Sequence, residues 1–115
     1  MKIKVSELTG RALDWAVMRV KAGKPLHTRS PFLVAAKYST DWSQGGPIIE
    51  RECIQTIAYG AASEHPKNPE YWEAVLDMKT ESAVGYGPTP LIAAMRCYVA
   101  SKLGDTVEIP KEIAK

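Results

Sequence analysis

A chain of 115 residues with 45% hydrophobic and 24% charged residues can bury a core without disulfide or metal staples, and it reads as a single domain over residues 1–115. No apolar run reaches the ~18 residues of a membrane span, and MKIKVSELTG lacks the apolar stretch of a signal peptide, so a cytosolic protein is expected and a membrane role is disfavoured. The net charge of +2 hides a gradient, +6 over residues 1–37, −5 over residues 38–82 and +1 over the remainder. The basic residues are dispersed and the acidic middle would repel phosphate, which disfavours nucleic acid as a partner; packing of opposite charges within the chain or between copies explains the gradient as well.

Lys2 to Val5 alternates polar and apolar residues, as a short strand does. Ser6 is placed to cap a helix that includes Gly10 to Ala22 and stops at Gly23, before Pro25. Ala12, Leu13, Ala16, Val17 and Val20 make its inward stripe, with Trp15 as a lid beside it. Arg11, Asp14 and Lys21 are expected to point outward. Lys24 to Pro31 is a loop whose His27 has no second ligand at metal-site spacing. Phe32 to Lys37 reads as a short buried strand or an extended lead-in.

The passage from Tyr38 to Glu52 is the least ordinary. Thr40 and Asp41 suit a turn, Gly45-Gly46 gives a flexible backbone, and Pro47 suits the first position of a short helix to about Cys53. Ile48, Ile49 and Cys53 would face inward. The start of such a helix attracts anions, but the Gly-rich lysine signature of a phosphate loop is missing. Trp42 is read as a packed anchor, with a ligand platform as the alternative. Ile54 to Tyr59 and Tyr71 to Met78 look like antiparallel strands, joined by an exposed linker that carries His65. Both faces of this pair hold apolar residues, which a sheet with helices on both sides would explain. Thr80 to Gly87 reads as a polar, flexible loop.

The strongest element follows. Thr89 is a cap, Pro90 a first helical residue, no Gly or Pro interrupts Leu91 to Leu103, and Gly104 supplies the stop. Leu91, Ile92, Met95, Val99 and Leu103 form a large-residue face, expected against the strands. Ala93, Cys97, Ala100 and Gly104 form a small-residue face, expected against the first helix or the same helix of a second copy. Arg96 lies between the faces and is expected to be buried and paired with Glu50 or Asp41. In the tail, Val107 and Ile109 are positioned to tuck against the core.

An enzyme needs a nucleophile or an acid–base pair held by a third group. The dense polar set here is Asp41, Glu50, Arg51 and Glu52, with Arg96 as a further member, and carboxylates beside arginines are more often structural ion pairs. Cys53 and Cys97 follow no metal or redox spacing and read as buried thiols. Hence no catalytic residue, metal or cofactor is assigned. Tyr38, Asp41, Trp42, Gly45, Gly46, Glu50, Arg51 and Arg96 are the candidates for ligand or partner binding.

Three passages together, SELTGRALDWAV at 6–17, STDWSQGGPIIERECI at 39–54 and GPTPLIAAMRCYVASKLGDTVEIP at 87–110, resemble the NinX-like proteins of tailed bacteriophages and prophages. More loosely they are similar to phage domains described as α-β-α sandwiches. The resemblance implies a phage or prophage protein in the bacterial host cytoplasm, and it transfers no catalytic residue. The expected fold is α+β, a small antiparallel sheet with helices packed on it. The expected function is that of an accessory protein, a non-enzymatic protein-binding or oligomeric module whose partner is a host protein, a phage protein or another copy. A small-molecule binder or small enzyme using the 38–52 loop is the alternative, and a weak nucleic-acid binder the second.

Overall fold

A computed structural model describes residues 1–23, 36–58, 72–77 and 82–114. His27, His65 and residues 32–35 of the strand expected at Phe32 to Lys37 lie outside them. The elements are β1 (Lys2–Lys4), a 3-10 turn (Val5–Glu7), α1 (Gly10–Ala22), α2 (Trp42–Glu52), β2 (Gln55–Ala58), β3 (Trp72–Asp77), β4 (Ser82–Gly87), α3 (Pro90–Leu103), β5 (Thr106–Glu108) and the one-turn helix α4 (Lys111–Ala114). β1 pairs with β5, β2-β3-β4 form a second sheet, and every pairing is antiparallel. The fold is α+β, with helices packed on small antiparallel sheets.

α3 is the hub. Thr89 Oγ1 accepts from the Ile92 amide at 3.1 Å, Pro90 opens the helix and Gly104 ends it at φ 85°. Leu91 and Ala93 to Val99 are all buried. At Ala93 and Cys97 the small-residue face meets β4, not the first helix. Residues 82–87, expected to be a loop, form that strand because small residues alternate along it. Ala83, Gly85 and Gly87 are buried, while Ser82, Val84 and Tyr86 are exposed. A Cβ on Gly85 would collide with the Ala93 carbonyl oxygen and lie 2.5 Å from the Cys97 nitrogen. Backbone therefore rests on backbone. Of the large face, Leu91 reaches Gly45 of α2, and α1 packs on α3 as well.

Several local expectations are corrected. Ser6 sits in the 3-10 turn, and Thr9 precedes α1 without a side-chain cap bond. Asp14 points inward, where its Oδ1 accepts from the Ser39 amide at 2.8 Å. That bond compensates for burying the carboxyl and ties α1 to the turn before α2. α2 begins at Trp42, five residues before Pro47, because Asp41 caps it. Pro47 is an interior residue there, and the Gly45-Gly46 pair before it relieves the crowding a proline ring causes. Cys53 is exposed at the left-handed end of α2, φ 55°. The tail behaves as expected, with Val107 and Ile109 buried.

The β2-β3-β4 register places Ile57, Glu73 and Tyr86 in one cross-strand row and Gln55, Val75 and Val84 in the next, on the side away from α3. Ile57, Val84 and Tyr86 are 44%, 39% and 44% exposed. Among the described residues, helices cover only the opposite face.

Candidate functional site

The polar set that the sequence groups around Arg96 is dispersed by the fold. Asp41 Oδ1 accepts from the Ser43 hydroxyl at 2.7 Å and the Ser43 amide at 2.9 Å, and these bonds hold its pKa below the ordinary 3.8. Arg51 Nε lies 3.1 Å from Glu52, which raises the arginine pKa, and its Nη2 donates to the Tyr98 hydroxyl at 3.4 Å. Glu50 is exposed. The half-buried Tyr38 ring carries Lys21 Nζ 4.9 Å from its centroid, a cation–π contact. Gly45 is packed where a Cβ would strike the Tyr38 carbonyl oxygen and Leu91. Gly46 has only the Trp42 ring near it, at 3.8 Å. Trp42 itself is 55% exposed at the first position of α2, so it is not a packed anchor. Helix α2 forms from its cap onward, and residue 42 falls on its outer side.

Arg96 is buried as expected, at 9% exposure, but its partners are not carboxylates. Nε donates to the Leu8 carbonyl at 2.9 Å and Nη1 to the Tyr86 carbonyl at 2.7 Å. The guanidinium thus staples the turn before α1 to the end of β4. Gly87 makes room for it, since a Cβ there would lie 3.3 Å from Nη1. Burial lowers the arginine pKa, and among the described residues no carboxylate offsets that cost by pairing with it.

Arg96 also lines a cleft of about 340 Å³. Its walls are β4 at Val84 to Tyr86, the chain at Lys4 to Ser6, and Asp105 with Thr106; Ala100 joins Arg96 below. Sequence reasoning singled out Arg96 and missed the walls. They come from three distant segments with no motif among them, and the one usable signal was an arginine on an otherwise apolar helix.

The remaining chemistry is quiet. Cys97 Sγ lies 3.3 Å from the Ala83 carbonyl, and burial pushes the thiol pKa up to about 11, which keeps it protonated and unreactive. Burial likewise raises the Tyr98 phenol, with Arg51 opposing it. Among the described residues, no group of three or more His, Cys, Asp or Glu side chains converges as a metal site would require, and no helix is long and apolar enough to cross a membrane.

These features define a small α+β protein built around one central helix, with a buried arginine at the edge of a cleft. The family model for NinX of bacteriophage P22 matches residues 4–102, from β1 through nearly all of α3. The chain belongs to this bacteriophage family. No curated protein matches it.

Proposed function

We propose that this phage protein is a non-enzymatic accessory module that works in the bacterial host cytoplasm by binding another protein on the outer face of the β2-β3-β4 sheet. The observation that carries the reading is the exposure of Ile57, Val84 and Tyr86 on that face. Ile57 on β2 and Val84 and Tyr86 on β4 flank Glu73 and half-buried Val75 of β3, and exposed apolar side chains grouped on one sheet face mark interaction sites. Among the described residues β2 is the edge of its sheet with all four residues exposed, and Gln55-Thr-Ile-Ala carries none of the charges or prolines that usually block strand addition. The partner is therefore a protein that offers an extended, apolar segment to this edge and face. Membership of a phage family supports the setting.

The test uses affinity capture by the intact protein from infected host cells, with Ile57→Lys, Val84→Lys and Trp42→Ala compared with wild type. A partner held by wild type and by Trp42→Ala, and lost from both lysine variants while their melting temperatures stay unchanged, supports the assignment. A partner held equally by both lysine variants refutes it. If wild type self-associates in sedimentation and the lysine variants do not, the occupant is a second copy.

A further inference from the structure

The cleft beside Arg96 has a composition that a merely structural arginine does not require. A guanidinium has five N–H donors in a planar fork. Leu8 and Tyr86 take one each from Nε and Nη1, and among the described residues Nη2 has no partner. Among the described residues Nη2 is not one of the buried polar atoms sealed without a bond, which are Trp15 Nε1 and Ser39 Oγ, and Arg96 lines the cleft. The two carbonyl bonds fix the plane of the fork, and a ligand oxygen therefore meets a donor whose direction is already set. That pre-orientation lowers the entropy cost of binding.

Size and charge narrow the ligand. About 340 Å³ lies at the small end of ligand clefts, enough for a compact organic molecule. Val5 and Ala100 give it apolar walls for a hydrocarbon body. The charged side chains in the lining are Lys4, Arg96 and Asp105, a balance of one positive charge. One negative charge on the ligand matches it, and a doubly charged phosphate does not.

We propose that this cleft binds a small organic monocarboxylate, its carboxylate on Arg96 Nη2 and its apolar body against Val5 and Ala100. The inference does not rest on the protein-binding reading: its ligand contacts are Arg96, Val5 and Ala100, although Val84 and Tyr86 also border the cleft.

The experiment is an amide-resolved NMR titration of the intact protein with phenylacetate, phenylacetamide and phenyl phosphate as probes. Phenylacetate should produce saturable shifts confined to Ser6, Gly85, Thr106 and the Arg96 Nε–H. The neutral amide should bind about tenfold or more weakly, because it loses the charge-assisted bond. Asp105→Asn removes the lining acid without touching the two Arg96 bonds and should tighten phenylacetate binding. Ala100→Leu fills the cleft and should abolish the shifts, and the Asp105 variant keeps the test decisive if the Leu variant does not fold. Equal binding of acid and amide, shifts for phenyl phosphate alone, indifference to Asp105→Asn, or no localised shift at millimolar probe would each overturn the proposal.

Discussion

Gly85→Ala is the sharpest probe of this fold, because the new methyl has nowhere to go. It would meet the Ala93 carbonyl oxygen, the Cys97 nitrogen at 2.5 Å and the Cys97 Cα at 3.0 Å, all of them backbone atoms in the middle of α3. Carbon contacts settle at ~3.5–4.0 Å, so strand and helix must part by roughly 1 Å. That movement disturbs the Cys97–Ala83 bond and the Arg96–Tyr86 bond, both of which span the same interface. Overpacking costs ~1–3 kcal/mol where side chains can yield, and here only backbone can. The gain from a stiffer unfolded chain is ~0.4–1 kcal/mol. The net expectation is a loss of about 2–3 kcal/mol. For a chain of this size an unfolding entropy of ~2.1 cal/mol/K per residue converts that to a fall of about 8–12 °C in Tm by calorimetry. Gly46→Ala is the control, since its Cβ would meet only Trp42 at an ordinary 3.8 Å inside α2. It should change Tm by no more than ~2–4 °C, because the gain in helix propensity is opposed by crowding with the Pro47 ring next to it. A Gly85→Ala protein melting within about 2 °C of wild type would refute the backbone contact.

Arg96→Leu should lose about 2–4 kcal/mol in urea unfolding, because it orphans the Leu8 and Tyr86 carbonyls; a neutral result would show that those bonds contribute nothing. Asp14 has a folded pKa raised above 3.8 by burial, so the folded state holds its proton more tightly than the unfolded state does. Its contribution is greatest below pH 3.8 and is lost as pH rises through the raised value, so Asp14→Asn should gain on wild type across that window in denaturation at stepped pH. A stability difference between the two that does not vary with pH would contradict this. Trp42→Ala, at a site 55% exposed, should change stability by less than about 1 kcal/mol, far below the ~3–5 kcal/mol of a buried aromatic truncation, and chemical denaturation decides between them.

What the sequence disclosed follows the physics of each signal. Thr89, Pro90 and Gly104 act within one turn of themselves, and the structure places the ends of α3 where those residues put them. Gly23 ends α1 in the left-handed conformation at φ 71°, whereas Gly104 ends α3 with φ 85° and ψ −157°. The strand at 82–87 was hidden because its alternation is inverted. Strand patterns are read by finding large apolar residues inward, yet here Ala83, Gly85 and Gly87 face the core while Val84 and Tyr86 face out. The small stripe on α3 did announce a close approach, and the partner was misassigned because a strand of alternating glycines looks like a loop. Of the candidate site, only Arg96 was legible. Its partners are carbonyls, which every residue carries, so no side-chain pattern could point to Leu8 or Tyr86.

The small stripe also explains why a cleft exists at all. Where β4 lies on α3, Ala93 and Cys97 meet Gly85 so closely that no further atom fits. One turn on, the stripe continues with Ala100, but there the facing chain belongs to the β1–β5 side, at Lys4 to Ser6 and Asp105 to Thr106. An alanine that suits backbone-on-backbone contact is too short to fill the space between two sheets. The volume stays open, and Arg96, held at its edge by two carbonyls, becomes part of its lining. Closing the cleft with a large side chain at residue 100 would remove apolar surface from water, and the helix already carries Leu, Met and Val on its other face. The small residue at that position thus leaves apolar surface open to water that a larger side chain would cover.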